Sequence, residues 1–202
     1  MQLNRDAIKA LLLVAGKSDI RDYLNGIYFD SRQGDTVAVA TDGSHLLAIK
    51  LGGQLAVNGL LRRADAELLV KAMDRYASVA PAADNSITCG KLTFALEPVE
   101  RPLDCRRVVP ANCNGMVAQF KPEYIANFGK ASALLGNKYR GGIHVHHNGV
   151  SASVIDLNCE DAIGVLMPYR SHLDADDAHT SPEWVTGSPS LSVVREEEKL
   201  AA

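Results

Sequence analysis

One order of elements recurs three times along this chain, and that repeat constrains the fold more than any single motif. Each repeat reads as a short leading strand, one amphipathic helix and a run of extended segments. In residues 1–51, Asn4 is placed to cap a helix, and Ile8, Leu11, Leu12 and Ala15 share one helical face up to a stop at Gly16. Strands at 27–30, 36–40 and 45–51 follow, with turns at 31–35 and 42–44. In the last strand Leu47, Ile49 and Leu51 alternate with Leu46, Ala48 and Lys50, which is strand period. In residues 54–97 the spacing predicts a helix from Asp65 to Tyr76, with Leu69, Met73 and Tyr76 on its inner face. A loop at 80–85 and a hairpin of 87–89 with 91–96 around Gly90 complete that repeat. In residues 115–170 a strand from Met116 to Phe120 leads into a helix opened by Pro122. Ile125, Phe128, Ser132 and Leu135 mark that helix's inner face. Strands at 143–147, 150–157 and 161–167 follow, with Asn148-Gly149 as a hairpin turn. Residues 99–113, with Pro102 and Pro110, read as an extended connector.

Composition narrows the function. Hydrophobic residues make up 47% of the 202, enough for a packed core. No apolar run approaches the roughly 20 residues of a membrane span. The N-terminus lacks the layout of a secretory signal, so a cytoplasmic protein is expected. Cys89, Cys105, Cys113 and Cys159 fit no zinc spacing and are expected as reduced thiols. The net charge of −3 is unevenly spread: seven acidic residues against two basic ones fall after residue 170, in a tail expected to be flexible. The first 170 residues are therefore slightly basic. His144 and His146 would share a strand face and offer two metal ligands, which leaves a metal hydrolase as a remote alternative. No H-E-x-x-H, G-x-S-x-G, phosphate-binding loop or dinucleotide-binding glycine run accompanies them, so the chain is expected to be no enzyme and to carry no cofactor.

Four segments, in order, resemble the bacterial DNA polymerase III beta subunit, the DNA sliding clamp. Residues 21–29 (RDYLNGIYF) and 39–48 (VATDGSHLLA) look like a strand and turn of that family's middle domain. Residues 103–110 (LDCRRVVP) are similar to its connector into the last domain, and residues 165–170 (VLMPYR) to its C-terminal segment. Two departures stand within these matches: His45 lies one place later than the family's histidine, and Leu103 replaces a proline. The resemblance implies an α+β DNA-clamp fold of repeated β-α-β-β-β units, with helices on one face of antiparallel sheets. It implies a clamp-like domain at 1–110, a partial second one at 111–170 and the tail at 171–202.

It also implies sites. The matched segments converge in the family on a hydrophobic pocket for short peptides, which here would be lined by Leu24, Thr41, Gly43, His45, Leu46, Val108, Val165, Met167, Pro168 and Tyr169. DNA polymerase, clamp loader and other clamp-binding peptides would be its partners. Arg5, Lys9, Arg62, Arg63, Lys71, Arg75, Lys121, Lys130 and Lys138 lie on or beside the three helices and would meet double-stranded DNA through its phosphates, without reading sequence. An odd number of units leaves a helix face and a sheet edge uncovered, so a homo-oligomer is expected. Four chains would supply the twelve units of a ring; alternatively a dimer pairs the odd units. A clamp-like processivity factor for DNA replication is the first reading, and a clamp-like adaptor or competitor that does not encircle DNA is the alternative.

Overall fold

The computed structural model describes residues 2–32, 34–52, 57–75, 77–100, 103–136 and 142–169. The tail from residue 171 and Lys138 lie outside them, as do Tyr76 and Pro102.

The first helix, α1 (Arg5–Val14), begins where the sequence predicts. The Asn4 side chain accepts a hydrogen bond from the Ala7 amide at 2.8 Å, satisfying one of the open N–H groups of the first turn. Ala7, Ile8, Ala10, Leu11 and Val14 are all buried, a wider face than the apolar spacing alone marks. Alanine on that face lets neighbouring elements approach closely. The helix is flanked by β1 (Leu3–Asn4) and followed by β2 (Gly26–Asp30), β3 (Val37–Thr41) and β4 (His45–Lys50).

The second unit opens with β5 (Asn58–Arg62) and α2 (Arg63–Ala72). This helix ends before the expected Tyr76: Met73 still donates its N–H to the Leu69 carbonyl, but its backbone is extended (ψ 133°) and carries the chain out toward β6 (Ser78–Val79). The segment expected as a loop contains a two-residue strand, β7 (Pro81–Ala82), which pairs with the hairpin of β8 (Ser86–Cys89) and β9 (Leu92–Ala95). Gly90, at φ +60°, turns that hairpin.

The third unit holds α3 (Pro122–Leu134), β10 (His144–His146), β11 (Ser153–Asp156) and β12 (Ala162–Leu166). Proline opens α3 as expected, and Phe128, Ala131 and Ser132 are buried, with Ile125 and Leu135 only half-buried. The strand expected at Met116–Phe120 is absent: these residues join no sheet among the described residues. Alternating residue types permit a strand, yet a strand also needs a continuous ladder, and the bonds here are scattered: the Met116 carbonyl accepts from Gly149, the Gln119 carbonyl from Tyr169, and the Ala118 amide donates to the His147 ring.

The sheets tie the units together. Seven antiparallel strands lie in the order β10-β11-β12-β4-β3-β2-β5. Units one and two exchange their leading strands: β5 pairs with β2 along five residues, and β1 pairs with β6. The third unit adds edge-on, β12 against β4, from Ala162 opposite Ile49 to Leu166 opposite His45. Sheet and core thus run across residue 110, and no gap in the packing marks the divide expected there.

The sheet has a buried layer on each face. Residues of all three helices join Ile27, Phe29, Leu47, Ile49, Leu61 and Ile155 in the main core. On the opposite face Val39, Leu46, Ala48 and Val165 are covered by the buried Cys105. The period-two reading of β4 therefore holds with both sets inside. The cover is the connector, which runs through a short 3-10 turn at Cys105–Arg107 and packs Leu103, Cys105 and Val109 against the sheet. A buried carboxylate pins it: Asp30, 1% exposed, receives two hydrogen bonds from Arg32 at 2.9 Å and faces Arg106 at 3.6 Å. The Arg32 bonds hold its carboxyl below the usual range although burial opposes them.

Candidate functional site

The segments singled out in the sequence meet on the connector side of the sheet. A cavity of about 210 Å³ opens there, between the residues before β2, the β3–β4 turn, the connector and the end of β12. Leu24, Thr41, Gly43, His45, Leu46, Val108, Val165 and Met167 all line it. Pro168 and Tyr169 do not. Beyond β12 the chain swings away, and the Tyr169 amide donates to the Gln119 carbonyl at 2.6 Å. Four further residues line the cavity: Arg21, Tyr23, Ser44 and Leu103. All four fall inside the matched segments, so the signal was present; which residues of a segment face inward is set by its local turn.

That turn is built on hydrogen bonds from two short side chains. Asp42 accepts from the Ser44 amide at 2.8 Å, the His45 amide at 3.0 Å and the His45 ring Nδ1 at 2.8 Å. Thr41 Oγ1 donates to the His45 carbonyl at 2.7 Å and accepts from the Gly43 amide at 3.0 Å. Burial pushes the Asp42 carboxyl up, but the hydrogen bonds from His45 and Ser44 outweigh it and hold the group at about 2. Gly43 sits at φ +92°, and a Cβ there would lie 3.0 Å from the Arg21 guanidinium. The glycine thus supplies both the left-handed backbone and the space for arginine to close over the turn. Arg21 is held by two 2.9 Å bonds to Asp19.

His45 is 4% exposed and faces two ways. Besides touching the cavity, its ring stacks on Tyr124 of α3 at 4.3 Å and meets Phe128 edge-on at 5.8 Å. The rest of the lining is apolar and graded in exposure. Leu24, Leu46 and Val165 are buried as the floor, while Val108 and Met167 stand 43% and 42% exposed at the rim. Such an arrangement suits an apolar side chain seated among a few orienting polar groups, with methionine adapting to its shape. A wider recess of about 470 Å³ lies beside it, between Val37, Ala48, Cys105, Val109 and Ile163. Burial raises the pKa of the Cys105 thiol on its wall.

The basic residues read as a DNA face are placed unequally. Arg63 is committed inward: its Nη1 donates to the carbonyls of Leu12 (3.1 Å), Ala15 (3.0 Å) and Gly16 (3.4 Å), and its Nε meets Glu67 at 2.9 Å. It closes the C-terminus of α1, which has no basic residue in its own last turn. Arg5 Nε donates to the Val70 carbonyl at 3.0 Å. Arg62 meets Glu97 at 2.6 Å, and Lys9 meets Asp6 at 3.1 Å. Lys121 lies 5.7 Å over the Tyr124 ring. Lys71, Arg75 and Lys130 are exposed.

His144 and His146 are exposed on β10, and no group of three metal-ligating side chains occurs among the described residues. His147 Nδ1 accepts from the Ala118 amide at 3.1 Å, and its ring stacks on Phe120 at 5.6 Å. The four cysteines are unbridged. No described helix is long and apolar enough to cross a membrane.

No protein-family model matches the chain, and no curated protein does. Solved structures match it in shape. The DNA polymerase III subunit beta of Pseudomonas aeruginosa superposes with a TM-score of 0.58 at 17% identity, covering 83% of this chain and 63% of its own. The Bacillus subtilis DNA polymerase sliding clamp gives 0.59 at 14%, covering 85% and 64%. The fold is that of the bacterial sliding clamp. The Helicobacter pylori beta clamp, solved bound to a DNA ligase peptide, gives 0.57 at 12%, covering 85% and 65%. The chain thus spans just under two thirds of the length of these clamps.

Proposed function

We propose that this chain is a sliding-clamp-like replication protein, a non-enzymatic platform that seats short peptides of a polymerase, a clamp loader or a repair enzyme in the 210 Å³ cavity. The observation that carries the reading is the convergence of eight residues from four distant segments on one apolar recess of a clamp fold. A peptide's apolar anchor would displace water from Leu24, Leu46 and Val165, and the rim of Val108 and Met167 would close around it. The protein works as a homo-oligomer, needs no cofactor and acts in the cytoplasm. Exposed Lys71, Arg75 and Lys130 would meet duplex DNA through phosphates, a salt-sensitive contact without sequence preference.

The test is fluorescence anisotropy with a labelled peptide bearing the clamp-contacting segment of a bacterial DNA ligase. Micromolar binding is expected. Val108→Asp, at an exposed rim position, should weaken it at least tenfold with the fold intact by circular dichroism, an effect of about 1.4 kcal/mol or more. No binding to the wild-type chain, or binding indifferent to Val108→Asp, would sink the reading.

A second reading, an adaptor or competitor that takes up clamp-binding peptides without encircling DNA, is favoured by the engagement of Arg5, Arg62 and Arg63 in bonds within the fold. Retention on nicked circular DNA with release after linearisation separates the two: the platform is retained, the adaptor is not.

A further inference from the structure

His45 belongs to two places at once. It lines the 210 Å³ cavity, and its ring packs on α3, across the sheet from the connector. Along β4, Leu46 and Ala48 face the connector and Leu47 and Ile49 the helices, so His45, at the first position of the strand, turns toward α3. The ring stacks on Tyr124 at 4.3 Å and 28°, meets Phe128 edge-on at 5.8 Å, and brings Nε2 within 3.4 Å of the Asn127 side-chain nitrogen. Gly164 of β12 gives α3 room to come this close, since a Cβ there would lie 2.6 Å from the Phe128 ring. Tyr124, Asn127 and Phe128 themselves line no part of the cavity.

From the ring the contacts lead back to the cavity wall. Nδ1 lies 2.8 Å from the ionised Asp42 carboxylate and donates the ring proton to it, which leaves Nε2 to accept from Asn127. The same carboxylate accepts from the Ser44 and His45 amides at 2.8 and 3.0 Å. The ring is thus one of the donors that hold the turn bearing Gly43 and Ser44, both of them cavity wall. The Ser44 carbonyl in turn accepts from the Met167 amide at 2.9 Å, so the rim methionine rides on that turn. A ring free to rotate would release its bond to Asp42, and the aromatic wall of α3 removes that freedom.

We propose that Tyr124 of α3 is a positioning residue for the peptide cavity, acting through the His45 ring on the Asp42 turn and the Met167 rim. α3 then sets the shape of a binding surface from the opposite face of the sheet. Because the turn is held before a peptide arrives, less ordering is left to the binding step. The inference deepens the peptide reading and rests on it for what the cavity holds; the hold of α3 on the turn stands apart from it.

Ligase-peptide affinity by anisotropy, read beside amide hydrogen exchange of the full chain, tests it. Tyr124→Leu keeps an apolar side chain and loses the ring; it should weaken binding about fivefold, the worth of one aromatic pair, and speed exchange at Ser44 and His45. Tyr124→Phe keeps the ring and should match the wild type in both. Ile125→Ala, which thins the same half-buried helix face, should lower stability and change neither. Wild-type affinity in Tyr124→Leu, or equal weakening in Ile125→Ala, overturns the proposal, because a ring that only fills space moves stability alone. A wild-type chain that binds no peptide removes the peptide reading, and exchange at Ser44 and His45 then decides by itself: faster in Tyr124→Leu keeps the positioning role, unchanged overturns it.

Discussion

β2 and β10 hold the same place in their units, one step after the helix, yet every residue of β2 is buried while β10 is exposed at His144 and His146. Both are strands with apolar residues at their centre. What separates them is company: β2 lies between β3 and β5, and among the described residues β10 pairs with β11 alone. The same contrast runs through the helices. α1 buries five of its ten residues, and α3 three of its thirteen. Burial in this fold is a property of how many neighbours a unit has more than of how apolar its own sequence is.

The sharpest way to break the comparison is to truncate one side chain in each strand. Phe29→Ala in β2 removes a fully buried ring and should cost about 3–5 kcal/mol in urea unfolding. Val145→Ala, half-buried in β10, should cost about 1 kcal/mol or less. Equal losses would mean that β10 is as enclosed as β2 in solution.

A smaller effect comes from the β3–β4 turn, where unit one meets the cavity. The folded Asp42 carboxyl titrates near 2, below its ordinary value, so its ionised form stabilises the fold. That contribution is full above about pH 4 and is lost as pH falls toward 2, amounting to about 2 kcal/mol at most. Unfolding free energies measured from pH 5 to pH 2 should show this acid loss, and Asp42→Asn should flatten it. A variant with an unchanged acid profile would place the stabilising charge elsewhere.

The smallest effect separates the helix starts. α1 has a side-chain cap from Asn4, whereas Lys121 gives α3 none. Asn4→Ala should lower stability by about 1 kcal/mol, and Lys121→Asn should raise it by about 0.5 kcal/mol. Thermal melts of the two variants check both signs.

What the sequence disclosed follows the same division. The Asn4 cap, the Gly16 stop, the two-sided alternation of β4 and the proline start of α3 were legible because local chemistry decides them. The early end of α2 and the missing strand at 116–120 were not, because partners distant in sequence decide those. The cavity was legible through its resemblance, segment by segment. Its details were not: Tyr169 is drawn off by the Gln119 carbonyl, and Arg63, a plausible phosphate contact by position, is taken by three carbonyls at the end of α1.

β4 separates two packing volumes with one backbone. Leu47 and Ile49 belong to the helix side, Leu46 and Ala48 to the connector side, and a single layer of peptide groups stands between them. For a lineage of such chains this is a form of insulation. Substitutions on the connector side can reshape the cavity lined by Leu46 and Val165 while the helix-side core keeps its shape. Cavity lining and architecture can then diverge at separate rates within one six-residue strand.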